Sequence, residues 1–424
     1  MSDRSRSSLR RRTGVLMLVA SVLAVLAATV GAGVGSAKQS QASHAMGCGG
    51  VPYVAPNDPN GALAAIKLTP ALTHDYTGWP DPIGPSAWAN WKPKGPPPYK
   101  VALVWNSPSN PFNLYSLNLI QKFLKKSPLI DKNIIVTTTS SQTAVAEQVQ
   151  DYNAAVQQGA QIIVVDALSA PALLPAVQAA AAAGIPTISQ INDFNTPDVL
   201  SISPNPYLDA AYSADAMVKA LGGTGNVLQV LGVPGTSTVV NEQNAWNKIF
   251  ASCPGINVVG TVNGLYSVSV AQSGVLQYLS TNPQPVNGVI ETAVMSQGIL
   301  NAFLQSGRTV PFITDITAQK GFVAYWAEHV GSGYHAFGVL GSAESAADIC
   351  TKVILRVLAG QGPKINQLIW RHPQITDKTV SSIASKSWTD TTVGTVGSPK
   401  STWWTDKDLD LFFNHPNITK GTHY

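Results

Sequence analysis

Residues 159–191 read GAQIIVVDALSAPALLPAVQAAAAAGIPTISQI. An apolar β-branched run (162–166) is followed by an Ala-rich segment of helical period (173–183). Gly184 and Pro186 then punctuate the chain before a second β-branched run at 187–191. Glycine just past a helix and proline shortly after it mark a helix end. Two short apolar strands joined by one helix must pair in parallel, with both faces of the sheet covered. The stretch therefore predicts a strand–helix–strand unit.

Working outward, the same unit repeats. Upstream, strands are expected at 101–105 and 134–138 and helices at 112–126 and 144–158, the latter ended by Gly159. Downstream lie a strand at 199–202, a helix at 207–221, a strand at 227–231, a helix at 238–251 and a strand at 258–262. The alternation continues with helix 271–280, strand 289–291, helix 295–305, strand 312–315, helix 321–329, strand 336–340 and helix 345–359. So many strands exceed one sheet of usual size. Two doubly wound parallel-sheet lobes are the economical arrangement.

The flanks differ. Residues 38–99 are rich in Pro, Gly, Ser and Asn, but Trp79, Trp88 and Trp91 call for a surface to pack on, so this extension is read as an arm along the globular body. Beyond Gln361 the period fades, and Trp403, Trp404 and residues 409–413 predict a docked tail. The N-terminus carries five arginines up to Arg12 and no charge from Thr13 to Ala37, with small residues at its end. That is the pattern of an export signal over 1–37, either cleaved or retained as an anchor. The remaining body works outside the cytoplasm on this reading, periplasmic or associated with the cell surface.

Charge narrows the function classes. The chain holds 27 basic and 23 acidic residues, and removing those before Lys38 leaves 22 of each. No basic cluster exists to follow a nucleic-acid backbone, which excludes that class of partner. Cys48, Cys253 and Cys350 have no paired spacing for a metal; one disulfide plus one free thiol is expected, by any of three pairings, unless Cys48 is lipid-modified. No nucleophile elbow, zinc-binding helix or phosphate-binding loop is present. Gly222-Gly223-Thr224-Gly225 follows a helix and precedes a strand, the reverse of a dinucleotide site. His335 and His372 read as ordinary surface or partly buried side chains. No enzyme chemistry, cofactor or metal is specified.

Val101-Ala-Leu-Val-Trp105-Asn106 with Asn110-Pro111-Phe112, Gly159 through Asp166, Gly184-Ile-Pro186, Gly235-Thr236-Ser237 and the strand ending at Asp315 occur in order between about residues 100 and 360. This ordered set resembles the type I periplasmic binding proteins, the ribose- and galactose-type sugar-binding components of ABC transporters. The resemblance implies two lobes joined by a three-segment hinge and closing on a small polar ligand, with hinges near 201–205, 336–340 and 363–366. It implies a first lobe of 100–203 plus 338–364, a second lobe of 204–337, and a final crossing and tail over 365–424. Carried over by position, the ligand site would take Asn106, Asn110, Phe112 and Asn113 from the first loop. It would add Asp166, Asn192, Asp193, Tyr266, Glu291, Thr292 and Asp315, with Asp315 the residue on which this reading leans hardest.

The chain departs from that family at two arginines. Ile191-Asn192-Asp193 stands where Asp-Arg is usual, and the helix after Gly235-Thr236-Ser237 offers Glu242 where a second arginine is expected. Glu291-Thr292-Ala293 replaces an asparagine, and the glutamine expected near Gly341-Ser342 is missing. The implied function is a monomeric extracytoplasmic solute-binding protein that delivers a sugar or polyol to an ABC permease. A binding protein that reports its ligand to a membrane receptor is the alternative, and an exported α/β enzyme is less favoured.

Overall fold

The computed structural model describes residues 48–424. The segment read as an export signal or anchor lies outside the described residues. Among the described residues no helix is long and apolar enough to cross a membrane.

Twelve strands are described: β1 (Val101–Trp105), β2 (Ile135–Thr138), β3 (Ile162–Val165), β4 (Thr187–Gln190), β5 (Val199–Pro204), β6 (Thr224–Leu231), β7 (Gly255–Asn263), β8 (Gly288–Glu291), β9 (Phe312–Ile316), β10 (Phe337–Val339), β11 (Gln367–Trp370) and β12 (Gln374–Ile375). They form two six-stranded sheets ordered β11-β5-β4-β3-β1-β2 and β12-β10-β9-β8-β6-β7. Every pairing is parallel except β10 with β12. β1, β3, β4, β5, β8 and β9 are buried at every position, as helices on both faces require.

The helices are α1 (Pro70–Asp75), α2 (Pro111–Leu124), α3 (Val145–Gln157), α4 (Ala170–Ala182), α5 (Pro206–Ala220), α6 (Ser237–Ala251), α7 (Val268–Thr281), α8 (Ser296–Ser306), α9 (Lys320–His329), α10 (Ala343–Leu358), α11 (Val380–Ile383) and α12 (Asp406–Asp410). Their starts are written in the sequence. Asn110, Ser169, Asn205, Thr236 and Ser342 each accept a backbone N–H of the first turn, and Pro111 and Pro206 occupy first-turn positions. Each sheet has an apolar core on both faces. In the first lobe α2 and α10 cover one face, α3 and α4 the other; in the second, α7–α9 cover one and α5–α6 the other.

The chain crosses between the lobes at three places, of which the third departs from the expected position. The first follows β5, within 201–205 as expected. The second falls after Val339, because β10 pairs with β9 and keeps 337–339 in the second sheet. The third lies at 371–373 rather than 363–366. The apolar run Gln367–Trp370 pairs with β5 and extends the first sheet before the chain leaves it.

Two flanking segments also pass from lobe to lobe. Cys48 is disulfide-bonded to Cys253, and Val51 and Val54 pack on the second lobe, while Trp79 and Ile83 are buried in the first. The bond occupies the Cys48 thiol, which leaves it unavailable for lipidation, and Cys350 is the free, buried cysteine. At the other end Val396 belongs to the second lobe's core, whereas Trp404, Phe412 and Phe413 belong to the first lobe's. Arg356 fastens this tail through Asp406 at 3.1 Å and Asp410 at 2.7 Å.

Candidate functional site

Between the lobes lies a cavity of about 80 Å³. Its walls come from the carboxyl ends of the strands, where open parallel sheets place ligands. Asn106 follows β1, Asp166 follows β3, Ile191 and Asn192 follow β4, Tyr266 follows β7, Ala293 and Val294 follow β8, Ile316 ends β9 and Thr317 follows it. Backbone strain collects here. Ile191, Tyr266, Val294 and Thr317 all have positive φ (70°, 55°, 54° and 117°), a costly conformation for branched or bulky residues.

One chain of hydrogen bonds runs through the polar wall and across to the other lobe. Asn113 Nδ2 donates to Asn106 Oδ1 at 2.6 Å, and Asn106 Nδ2 donates to Asp166 Oδ2 at 2.9 Å. Asn192 Nδ2 donates to Asp166 Oδ1 at 3.1 Å, and Thr238 Oγ1 of the second lobe donates to Asn192 Oδ1 at 3.0 Å. Asn110 supports the array by capping α2, while Trp105 Nε1 donates to the Asn113 carbonyl at 3.1 Å. Burial pushes the Asp166 carboxyl up to about 7, against the opposing pull of the Asn192 and Asn106 amides. Beside Asn192, the Asp193 N–H donates to Ser237 Oγ at 3.2 Å, a second contact between lobes. The structure is thus a closed form.

The opposite wall is aromatic and acidic. Tyr266 lies against Gly232, where an added Cβ would sit 2.1 Å from the ring, and its hydroxyl is 3.4 Å from Thr236 Oγ1. Phe112 faces the same space from the first lobe. Glu242, on α6, is 1% exposed and reaches the cavity; burial raises its carboxyl well above the ordinary range, and Glu291 and Asp209 add to the rise. Asp209 accepts from His372 Nδ1 at 2.7 Å, where the third crossing meets α5. No lysine or arginine is among the cavity-lining residues.

Of the residues picked out in the sequence, Asn106, Asn110, Phe112, Asn113, Asp166, Asn192 and Tyr266 meet at this cavity. Asp193, Glu291, Thr292 and Asp315 do not line it. Asp315 belongs to the interior of the second lobe: its Oδ2 accepts the Gln319 N–H at 2.8 Å, at the start of α9. The next two positions, Ile316 and Thr317, take the cavity wall instead. Glu291 accepts the Ile316 N–H at 2.8 Å and the Met295 N–H at 3.1 Å, which staples the loop behind the wall. Thr292 Oγ1 accepts the Gly232 N–H at 2.7 Å. The Asp193 carboxyl turns to Asp81 of the arm, and burial together with that neighbour raises it well above the usual range. Gln142, Asp209, Thr236, Thr238, Glu242 and His372 are wall residues that the transfer by position did not select. Their signal was weak: Thr236 was visible as a helix cap and Glu242 as a lost arginine, but nothing local draws His372 to Asp209.

Comparison with known proteins agrees with this architecture. A xylitol-binding protein of Mycolicibacterium smegmatis is 27% identical over 184 residues, which is 43% of this chain and 53% of that protein, so the match spans about half the length of that relative. An ABC transporter solute-binding protein from Thermobispora bispora superposes with a TM-score of 0.63 at 22% identity, covering 72% of this chain and 92% of that one. One from Mycobacterium smegmatis with bound glycerol gives 0.61 at 14%, covering 72% and 100%. One from Bacillus halodurans with bound myo-inositol gives 0.59 at 16%, covering 68% and 98%. Residues 101–362 match the family described as periplasmic binding protein domain, and the chain belongs to that family of ligand-binding proteins.

Proposed function

We propose that this protein is an extracytoplasmic solute-binding protein of an ABC importer. It acts as a monomer whose lobes close on one small polyhydroxylated solute, a sugar or polyol, and it hands that solute to a membrane permease. The observation that carries the reading is the cavity itself. It lies between strand ends and is lined by four asparagines, two aspartates and the rings of Phe112 and Tyr266 among apolar neighbours, with the lobes in contact beside it. Amides and carboxyls match adjacent hydroxyls with directed hydrogen bonds, and ring faces cover the C–H side of a sugar or polyol. The xylitol-binding relative supports the ligand class. The export-type N-terminus supports a place outside the cytoplasm.

A thermal-shift screen of xylitol, other pentitols, myo-inositol, pentoses and hexoses tests this. A true ligand at about 100 times its dissociation constant adds about 2.7 kcal/mol of stability and raises Tm visibly. No shift with any member, or a shift undiminished by Asn106→Ala with Asp166→Ala, counts against the proposal.

A further inference from the structure

Glu242 is buried, lines the cavity, and leaves Oε2 without a hydrogen-bond partner. Every charged group near it is acidic or already engaged. Asp209 of α5 is held by His372, and Glu291 lies behind it at the end of β8. Across the cavity Asp166 is satisfied by two amides, but it too lacks a basic partner. Three carboxyl groups thus border one space, of which only Asp209 has a basic partner, His372, and its walls contain neither lysine nor arginine.

A buried carboxylate without a counter-ion is expensive, so it keeps its proton or meets a cation. Burial and the neighbouring Glu291 and Asp209 favour the protonated form of Glu242. A neutral polyol leaves that state unchanged. An ammonium group supplies the missing charge, and its N–H donors give the orphaned oxygen a charge-assisted bond. The rings of Tyr266 and Phe112 border the same space, and aromatic faces attract cations.

We propose that the cavity selects a polyhydroxylated solute carrying a primary ammonium group, an amino sugar or amino polyol, with Glu242 as its counter-ion. This rests on the polyhydroxylated-solute reading above and sharpens it. The binding step is balanced by one proton: neutral Glu242 gives its proton to solvent as the carboxylate forms against the incoming ammonium.

Calorimetry with matched pairs tests it: glucosamine against glucose, and 1-amino-1-deoxysorbitol against sorbitol. The runs use two buffers of different ionisation enthalpy at about pH 6, where these amines are protonated. The amine of at least one pair is expected to bind about tenfold or more tighter than its neutral partner, as a charge-assisted bond replaces a neutral one, and to release a proton. Glu242→Gln should abolish both the preference and the proton release. The wild-type buffer comparison stands by itself should that variant fold poorly. Neutral members binding as well as or better than the amines, without proton release, overturns this inference and leaves the sugar-or-polyol reading intact. Binding of 1,4-diaminobutane with none of the hydroxylated probes overturns the polyhydroxylated reading, and this proposal with it.

Discussion

Thr238 and Asn192 sit on opposite lobes and meet through a 3.0 Å hydrogen bond from Thr238 Oγ1 to Asn192 Oδ1. Asn192 in turn donates to Asp166. A residue of the polar wall is therefore also a latch, so closing the lobes orients the group that faces the ligand. Lobe closure around a ligand depends on such differential contacts. Thr238→Val removes the bond with little change of volume and should cost about 0.5–1.5 kcal/mol of closed-state stability. Affinity is expected to fall about two- to tenfold, read by titration with the solute found in screening. Small-angle scattering without ligand should show a larger open fraction. An unchanged affinity would remove the latch role.

Asp315 carries a prediction that reverses the sequence reading. A carboxylate ending an apolar strand was expected to face the ligand, but this one accepts the Gln319 N–H beside the first turn of α9. Truncation to alanine should therefore lower stability by about 0.5–2 kcal/mol, as loss of a helix-start acceptor does. Ligand affinity should change less than threefold, by about 0.6 kcal/mol or less. Chemical denaturation and titration of the same variant separate the two effects. A large affinity loss with unchanged stability would restore the pocket role.

That reversal shows what was legible. The alternation of apolar runs with capped helices locates the strands of β1 to β10 within a few residues, because burial on both faces writes itself into composition. It does not say which way the last residue of a strand points. One residue of register separates Asp315, in the interior, from Ile316, on the cavity. The first-lobe residues Asn106, Asn110, Phe112 and Asn113 were readable because they lie in one short loop and at the opening of one helix. His372 and Asp209 are 163 residues apart and join only after two crossings have formed. β11 is hard to read in the sequence because Gln367–Trp370 is only four residues long and no helix of the repeating unit follows it.

Gly232 is required by the ring beside it. A Cβ there would lie 2.1 Å from Cζ of Tyr266 and 2.3 Å from its Cε1, far inside contact distance. Gly232→Ala should push the ring toward the ligand space or lift it away. The expected cost is about 1–3 kcal/mol of stability, typical of overpacking, and a loss of binding of at least tenfold. Because the ring's own positive-φ backbone limits its retreat, Gly232→Ala with Tyr266→Ala should recover stability but not affinity. Recovery of both would show that the ring contributes no ligand contact.

The acidic interior predicts an unusual pH profile for the ligand-free protein. Burial pushes the carboxyls of Asp75, Asp166 and Asp315 up to about 7 from an ordinary value of 3.8. Glu242, Glu291 and Asp193 are also raised well above the ordinary range, again by burial first. For each, the folded state holds its proton more tightly than the unfolded chain. The stabilisation is complete below the unfolded pKa and is lost as pH rises through the folded one. Tm should therefore be highest near pH 4–5 and decline through about pH 7, where many proteins are most stable. Asp166→Asn removes one of these groups. It also replaces one acceptor of the Asn106 and Asn192 amides by a donor, so the variant should melt lower at acid pH. Its decline between about pH 4 and 7 should nevertheless be shallower than that of the parent. Scanning calorimetry of both proteins across that window distinguishes the cases. A profile of the parent that rises with pH would mean that these carboxyls are ionised in the folded state, satisfied by water or by partners stronger than the amides around them.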